Sequence, residues 1–196
     1  MSPNFQTVPP QVKKLFHLLG VASLALLSAC GGDDDNNEVN LEQYNAWHDE
    51  NVAWFNKEIS KADPDGAGAF YEEVVPVWAQ GQTIYMHWFN DRNETAMNLV
   101  PDLTSTIQAY YEGRLCNGTV FDKSENLSSK ILTARVNGLI QGWQIALQKM
   151  HVGDTVQVII PYQLAYGISG SGSIPPYSVL KFNMRLVDIP CYEVKP

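Results

Sequence analysis

The chain has 196 residues, of which 45% are hydrophobic and 11% aromatic, so it is long enough for one globular domain with a substantial core and additional segments. Its formal net charge of −8 argues against a nucleic-acid-binding protein, because a surface that binds phosphates needs net positive charge. Much of the acidic charge lies close to the N-terminus, in Asp33-Asp34-Asp35 and the segment that follows.

Residues 1–29 have the pattern of a bacterial lipoprotein signal peptide. A basic pair, Lys13-Lys14, precedes an apolar run over residues 15–27. A membrane span needs about 20 residues, so this run is too short to cross a bilayer but suits a signal-peptide core. It ends in Leu27-Ser28-Ala29-Cys30, which resembles a lipobox, in which the cysteine is acylated. An ordinary cleaved signal is the alternative, but a cysteine at the cleavage position favours lipidation of Cys30. Two or three acyl chains would anchor the protein stably.

Residues 30–38 are expected to form a flexible acidic tether. The stretch Gly31-Gly32-Asp33-Asp34-Asp35-Asn36-Asn37 has no apolar side chain to pack, and its charges repel one another. Acid-rich residues directly after a lipidated cysteine also resemble a surface-export signal of Bacteroidetes lipoproteins. A solvated spacer explains the same residues, and both interpretations remain open.

An N-terminal extension, residues 39–100, begins with a predicted amphipathic helix over residues 39–62. Apolar residues recur within it at helical spacing. They are Leu41, Tyr44, Trp47, Val52, Phe55 and Ile59. The turn sequence Asp63-Pro64-Asp65-Gly66 ends the helix. We expect the helix to dock on the following domain and cap its sheet. Dimerisation is the alternative, but a single helix gives a thin interface.

The remaining pattern predicts strands over residues 83–89, 108–115, 155–160 and 178–189, and one short helix over residues 142–150. In the last strand Leu180, Phe182, Met184 and Leu186 alternate with Lys181, Asn183 and Arg185. Trp143, Ala146, Leu147 and Met150 share one face of the helix. Antiparallel strands around one short helix give an α+β fold.

Three motifs in the last half of the chain carry a family resemblance. The first is Tyr111-Glu112-Gly113-Arg114-Leu115, leading to Phe121-Asp122, and the second is Leu139-Ile140-Gln141-Gly142-Trp143. The third is Ala165-Tyr166-Gly167, followed by Ile174-Pro175-Pro176. Their order and spacing resemble the FKBP family of peptidyl-prolyl cis-trans isomerases, the immunophilins that bind tacrolimus. The resemblance implies that residues 101–196 form an antiparallel β half-barrel wrapped around the short helix, with the ligand pocket between helix and sheet.

The resemblance also implies the residues of the pocket. Those with a catalytic role would be Tyr111, Phe121, Asp122, Ile140, Trp143, Tyr166 and Phe182, and those that contact the substrate would be Leu132, Leu139 and Ile174. Trp143 would form the floor of the pocket. The backbone N–H of Ile140 and the hydroxyl of Tyr166 would donate hydrogen bonds to ligand carbonyls, and Asp122 would be the one acidic group. Each residue alone is explained as well by the core or a turn, but their joint order favours a pocket.

Some positions depart from the family pattern. Bacterial members usually have Val-x-Phe before the helix, where this chain has Leu132 and Ala134. Gly138 stands where some relatives have an acid. The loop over residues 167–176, here called the flap, is slightly short and would supply Ile174. These changes are expected to open one wall of the pocket and to weaken its lip.

The resemblance implies no cofactor, and His17, His48, His87 and His151 lack metal-ligand spacing, so no metal site is expected. The family's strand arrangement separates Cys116 from Cys191, which implies two free thiols.

The predicted function is peptidyl-prolyl cis-trans isomerisation of exported proteins at the cell envelope. The protein would be lipid-anchored through Cys30, on the periplasmic or surface face of the outer membrane. Its partners would be proline-containing polypeptides and tacrolimus-like macrolides, with no nucleic acid. The alternative is a low-turnover FKBP-like chaperone or protein-binding module. Intact pocket residues favour the enzyme, whereas the missing aromatic residue at Ala134 favours the binding module.

Overall fold

The computed structural model describes residues 35–66, 68–78 and 81–192. The predicted signal peptide, Cys30 and the first part of the tether lie outside these residues. The first helix, α1, runs from Asp35 to Ile59, so residues 35–38 of the predicted tether are helical. The described residues from Asp35 onward belong to one compact unit.

In the described part of the chain, two further α-helices and seven strands follow α1. The helices are α2 (Arg92–Thr95) and α3 (Gln141–Leu147). The strands are β1 (Glu72–Val74), β2 (Ile84–Trp88), β3 (Thr106–Arg114), β4 (Val120–Lys123), β5 (Leu132–Arg135), β6 (Thr155–Ile160) and β7 (Leu180–Cys191). The four strands predicted from the sequence are confirmed to within two residues at each end. Strands β1, β4 and β5 and helix α2 were not predicted, because three or four residues are too few to show a periodicity.

The strands form one antiparallel sheet in the order β1-β2-β6-β7-β3-β4, and β5 pairs with β3. Strand β7 pairs with β6 over Leu180–Arg185 and with β3 over Lys181–Cys191, so residues 181–185 lie between these two strands. The sheet with its short helix α3 confirms the predicted α+β, FKBP-like architecture with an N-terminal helix. Strands β1 and β2 join it through β6, so the sheet extends across the boundary predicted at residue 100.

The main core lies between the sheet and α3. The predicted inward face of β7 is confirmed, since Leu180, Phe182, Met184 and Leu186 are all buried. They pack in one cluster with the predicted helix face, which consists of Trp143, Ala146, Leu147 and Met150. Burying one such side chain contributes about 1.5–3 kcal/mol. This packing fixes the orientation of α3, and therefore of Trp143, against the sheet.

Gly142 explains how closely α3 approaches β6. A Cβ atom at this position would overlap the side chain of Ile160. The second residue of α3 must therefore be glycine for the helix to lie on the sheet at this distance.

Helix α1 packs on the opposite face of the sheet. A second hydrophobic cluster there contains Ile159 and Val179, with Trp54, Phe55 and Ile59 of α1 packed against it. Ile159 is fully buried although its neighbours in β6 face the main core. This strand is covered on both faces, which explains why its sequence is continuously apolar at Val158-Ile159-Ile160.

The docked face of α1 includes the predicted Trp47, Phe55 and Ile59 but differs from the prediction at other positions. Tyr44 and Val52 are exposed, whereas the polar residues Asn51 and Glu58 are buried. The side-chain oxygen of Asn51 accepts a hydrogen bond from the backbone N–H of Val179 at 2.8 Å. Apolar periodicity missed Asn51 and Glu58 because they are polar, and they can be buried because other groups satisfy them.

Glu58 is the buried ionic contact between α1 and the sheet. Its carboxylate lies 2.7 Å from the ammonium of Lys61 and 3.3 Å from that of Lys181, and it accepts a hydrogen bond from the hydroxyl of Tyr71 at 2.9 Å. Burial alone would raise the pKa of Glu58, but the bonds to Lys61, Tyr71 and Lys181 outweigh it and lower the pKa. The carboxylate therefore stays charged at neutral pH, and α1 docks by polar contacts as well as apolar ones.

A second buried carboxylate, Asp154, organises the loops at one end of the sheet. It accepts hydrogen bonds from the side chains of Thr95 and Asn90 and from the backbone N–H of His151, and it pairs with Arg92. Burial alone would raise the pKa of Asp154, but these donors lower it overall. The contacts connect α2 to the turn before β6.

Two further observations concern the cysteines and membrane-spanning helices. Cys116 and Cys191 are both free thiols, as predicted, and only Cys116 is buried. Burial raises the pKa of the Cys116 thiol to about 11, so the thiol is protonated at neutral pH. Within the described residues, no helix combines the length and the apolar character needed to cross a bilayer.

Candidate functional site

A cavity of about 280 Å³ lies between the start of α3 and strands β3, β4, β5 and β7. Its lining residues are Tyr111, Phe121, Asp122, Leu132, Gly138, Leu139, Ile140, Trp143, Tyr166 and Phe182. All of the residues predicted for the pocket, except Ile174, therefore meet in one cavity. Larger grooves exist on the surface, one of about 380 Å³ beside α1, but this cavity combines aromatic walls with the donors described below.

Four of the five aromatic rings that line the cavity contact one another. Trp143, in the first turn of α3, is only 4% exposed. Its ring centroid lies 5.2 Å from that of Tyr111 and 5.2 Å from that of Phe182, with interplanar angles of 84° and 88°. Phe121 meets Phe182 at 5.5 Å and 88°. These are edge-to-face contacts, the geometry that aromatic pairs favour, so each ring is held in place by another.

The polar part of the wall is a hydrogen-bonded pair. The hydroxyl of Tyr111 donates to one oxygen of Asp122 at 2.5 Å, and the other oxygen accepts the backbone N–H of Lys123 at 2.8 Å. Burial, and then the bond to Asp122, raise the pKa of Tyr111 well above its usual range. The hydroxyl therefore remains a donor, and Asp122 is oriented by groups that the sequence did not identify as its partners.

Two residues that line the cavity carry donors without partners among the described residues. One is the backbone N–H of Ile140, the residue that precedes α3, whose carbonyl oxygen accepts the first hydrogen bonds of the helix. The other is the hydroxyl of Tyr166. Burial, and then the charge of Asp122, raise the pKa of Tyr166, so this hydroxyl stays protonated. Both groups can therefore bind a carbonyl oxygen of a ligand.

Gly113 is a site residue that the sequence did not reveal as one. A Cβ atom here would lie 2.5 Å from the ring of Phe121 and 2.7 Å from that of Phe182. The glycine in β3 therefore leaves the space in which these two rings meet. A glycine inside a predicted strand is the signal that could have found it, because such a glycine often marks a close approach of another group.

Ile174 does not line the cavity, contrary to expectation. It is 7% exposed and belongs to the main core. A tight turn directs its side chain inward, since the N–H and C=O groups of Ser171 and Ile174 bond each other. Gly170, with a positive φ of 68°, makes room for the carbonyl oxygen of Ile174. The flap therefore contributes Tyr166 at its base instead of Ile174 at its tip.

The small side chain of Ala134 does not widen the cavity either. Leu132 lines the cavity and pairs with Ala109 of β3, whereas Ala134 pairs with Ile107 and is not a lining residue. Gly138 does line the cavity, and no atom lies within 4 Å of where its Cβ would be. The opening in the lip is therefore at Gly138. No cluster of three or more metal-ligating side chains occurs in the part of the chain that the structure describes.

A family comparison identifies the domain that holds this cavity. Residues 100–187 match the family model of the FKBP-type peptidyl-prolyl cis-trans isomerases. We call these residues the FKBP-type domain because of this match. The domain contains all the residues that line the cavity, together with α3 and strands β3 to β6.

Several known proteins resemble the FKBP-type domain. The macrophage infectivity potentiator of Trypanosoma cruzi is 47% identical over 90 residues, which are 45% of this chain and 45% of that protein. The FKBP-type 22 kDa peptidyl-prolyl cis-trans isomerase of Escherichia coli K12 is 43% identical over 91 residues, 46% of this chain and 44% of that protein. The chain thus spans less than half the length of these two relatives.

The similarity to solved structures covers more of this chain than the FKBP-type domain. A peptidyl-prolyl cis-trans isomerase from Pseudomonas syringae pv. tomato matches with a TM-score of 0.52 and 27% identity, over 81% of this chain and 98% of that one. FkpA from Escherichia coli matches with a TM-score of 0.56 and 25% identity, over 81% of this chain and 65% of that one.

Proposed function

We propose that the protein is a peptidyl-prolyl cis-trans isomerase and that the cavity between the start of α3 and the sheet is its active site. The observation that carries the proposal is the combination of an aromatic cavity with an unpartnered backbone donor at Ile140. The family relationship of the FKBP-type domain supports the same reaction. Substrates are X-Pro bonds of exported polypeptides, and tacrolimus-like macrolides are expected to compete for the cavity.

The chemistry requires no nucleophile, metal or general base. An X-Pro bond prefers the trans form by only about 0.5–1 kcal/mol, but rotation takes tens to hundreds of seconds. The barrier of about 18–20 kcal/mol comes from the loss of amide resonance in the twisted bond. A catalyst must therefore bind the twisted bond more tightly than the planar one, and each 1.36 kcal/mol of difference gives a factor of ten in rate.

The cavity can supply this difference in two ways. Its walls of Trp143, Tyr111, Phe121 and Phe182 exclude water around the pyrrolidine ring. A twisted imide has lost part of its dipole, so a dry site disfavours the planar ground state more than the transition state. The donors at Ile140 and Tyr166 bind carbonyls beside the rotating bond and hold the flanking chain while the bond turns.

The first test removes the acidic group of the site. Asp122→Ala should lower kcat/KM for a short proline peptide by roughly tenfold, equivalent to about 1.4 kcal/mol, because Tyr111 loses the acceptor that orients it. Stability should fall only modestly, since the carboxylate lines an open cavity. A proline-coupled assay with and without tacrolimus on the full chain measures the effect.

Glu125→Ala is the matched control for this test, because it removes a nearby acid whose side chain is 72% exposed. A fully active Asp122→Ala variant would assign Asp122 to the turn and not to the site. A folded wild-type protein whose rate equals that of buffer would reject the isomerase and favour the binding module.

We propose in addition that the protein is lipid-anchored in the cell envelope, at the outer membrane, on its periplasmic or surface face. The support is the sequence Leu27-Ser28-Ala29-Cys30 after a short apolar run. An anchored isomerase would meet exported polypeptides before they fold.

Cys30→Ser is expected to abolish lipidation and to leave the precursor unprocessed or the protein soluble. The reason is that serine has no thiol to accept the lipid. Metabolic labelling with a radioactive fatty acid measures the effect, and Cys191→Ser is the control, because it removes an exposed cysteine outside the signal. Label that persists in Cys30→Ser would refute the anchor.

A further inference from the structure

The base of the flap is fixed from two sides at Gly167. The backbone N–H of Gly167 donates to the carbonyl of Tyr162 at 2.8 Å, and the carbonyl of Gly167 accepts the N–H of Tyr177 at 3.0 Å. Tyr166, the residue whose side chain lines the cavity, immediately precedes Gly167. Tyr162 and Tyr177 therefore hold the backbone from which the side chain of Tyr166 extends.

Helix α1 reaches both tyrosines through one side chain. His48 meets the ring of Tyr177 at 5.0 Å and that of Tyr162 at 6.2 Å, in edge-on contacts at 78° and 72°. The two tyrosine rings also contact each other at 5.3 Å. The imidazole thus forms a three-ring cluster with the two tyrosines, and this cluster packs at the base of the flap.

The neighbouring residue of α1 holds the end of the flap by a hydrogen-bond chain. The indole N–H of Trp47 donates to the hydroxyl of Ser178 at 3.2 Å, which donates to the carbonyl of Pro175 at 2.7 Å. One turn along α1, Asn51 accepts the N–H of Val179. The segment after the flap is therefore bound to α1 at successive residues.

The conformation of Tyr177 explains why an external support is needed. Its φ is 60°, in the left-handed region that an aromatic residue seldom occupies. Such a conformation persists only when its surroundings impose it. The surroundings here are His48, the ring of Tyr162 and the bond to Gly167.

From these contacts we infer that α1 is part of the catalytic apparatus, with His48 and Trp47 as positioning residues that hold the flap and thereby the hydroxyl of Tyr166. This inference rests on the proposed isomerase function of the cavity. It gives α1 a role beyond covering the sheet, since the helix contacts the tyrosines that hold the flap and acts on the cavity through the backbone of Gly167.

The test compares His48→Ala with His48→Phe in the full chain. His48→Ala should speed amide hydrogen exchange at Gly167 and Tyr177 and lower kcat/KM by roughly three- to tenfold. His48→Phe keeps an aromatic ring against both tyrosines and should restore both quantities. A side chain that only stabilised the fold would change the melting temperature without this rescue.

Trp54→Leu is the matched control, because Trp54 packs on the second cluster of the sheet. It should lower the melting temperature but leave exchange at Gly167 and the activity of the folded protein at wild-type values. Equal losses of exchange protection and activity in Trp54→Leu would overturn the inference. Unchanged amide exchange in His48→Ala would also overturn it, as would faster exchange combined with full activity in that variant. The exchange measurement does not depend on catalysis. An inactive wild-type protein would therefore reject the proposed function, and the exchange rates would still show whether α1 holds the flap.

A double-mutant cycle tests the Trp47 chain separately. Trp47→Phe removes the indole N–H, and Ser178→Ala removes the hydroxyl that accepts it. If both act through one hydrogen-bond chain, the double variant should lose no more activity than the more damaging single variant. Additive losses would overturn the role of Trp47.

Discussion

Trp143→Ala is expected to destabilise the protein by about 3–5 kcal/mol, because it removes a large buried side chain and leaves an empty space beneath Tyr111 and Phe182. This is a large part of the roughly 5–15 kcal/mol that a typical domain has in total. Chemical denaturation followed by circular dichroism would measure the change. The loss should be the largest of all the substitutions considered, since Trp143 contacts both the core and the cavity.

Trp143→Leu separates packing from catalysis. Leucine fills part of the volume, so this variant should stay folded, but it removes the flat floor on which the pyrrolidine ring would rest. We expect kcat/KM for a proline peptide to fall while circular dichroism still reports a folded protein. Wild-type activity per folded molecule, combined with a lower melting temperature, would make Trp143 a core residue only.

Gly113→Ala is expected to damage the site more than its small size suggests. The added methyl would lie 2.5 Å from the ring of Phe121 and 2.7 Å from that of Phe182, so at least one ring must move. Overpacking of this kind typically costs about 1–3 kcal/mol. Because the displaced ring forms a wall of the cavity, isomerase activity and tacrolimus affinity should each fall by roughly tenfold or more.

Gly138→Ala is the control for this substitution. Gly138 lines the same cavity, but a Cβ atom added to it would have no other atom within 4 Å. This variant should keep wild-type stability and change activity little. Equal stability and activity in Gly113→Ala and the wild type would show that Phe121 and Phe182 adjust without cost, and that the glycine is not required.

The sequence by itself determined the parts of the protein that depend on local periodicity and on motif order. The alternation in β7 identified its buried face, because side chains of a strand point to opposite sides in turn. The spacing of apolar residues identified the face of α3 that carries Trp143. The order of the motifs identified the residues that line the cavity, with Ile174 wrongly included and Gly138 left out.

Tertiary structure decided the features that need a partner from elsewhere in the chain. Asn51 and Glu58 are polar in the sequence and buried in the fold, because Val179, Tyr71 and Lys181 satisfy them. No periodicity of apolar residues can reveal such a face. The same reason explains why the predicted face of α1 was wrong at Tyr44 and Val52 while the predicted docking of the helix was right.

The site shows the same division. Motif order identified Tyr111 and Asp122 separately, but only the pairing of β3 with β4 brings the hydroxyl of one to the carboxylate of the other. Similarly, Ile174 was expected to contact the substrate in the cavity, and the tight turn at Gly170 buries it in the core. A sequence specifies which chemical groups are available, whereas the direction in which a loop residue points depends on packing between segments distant in the chain.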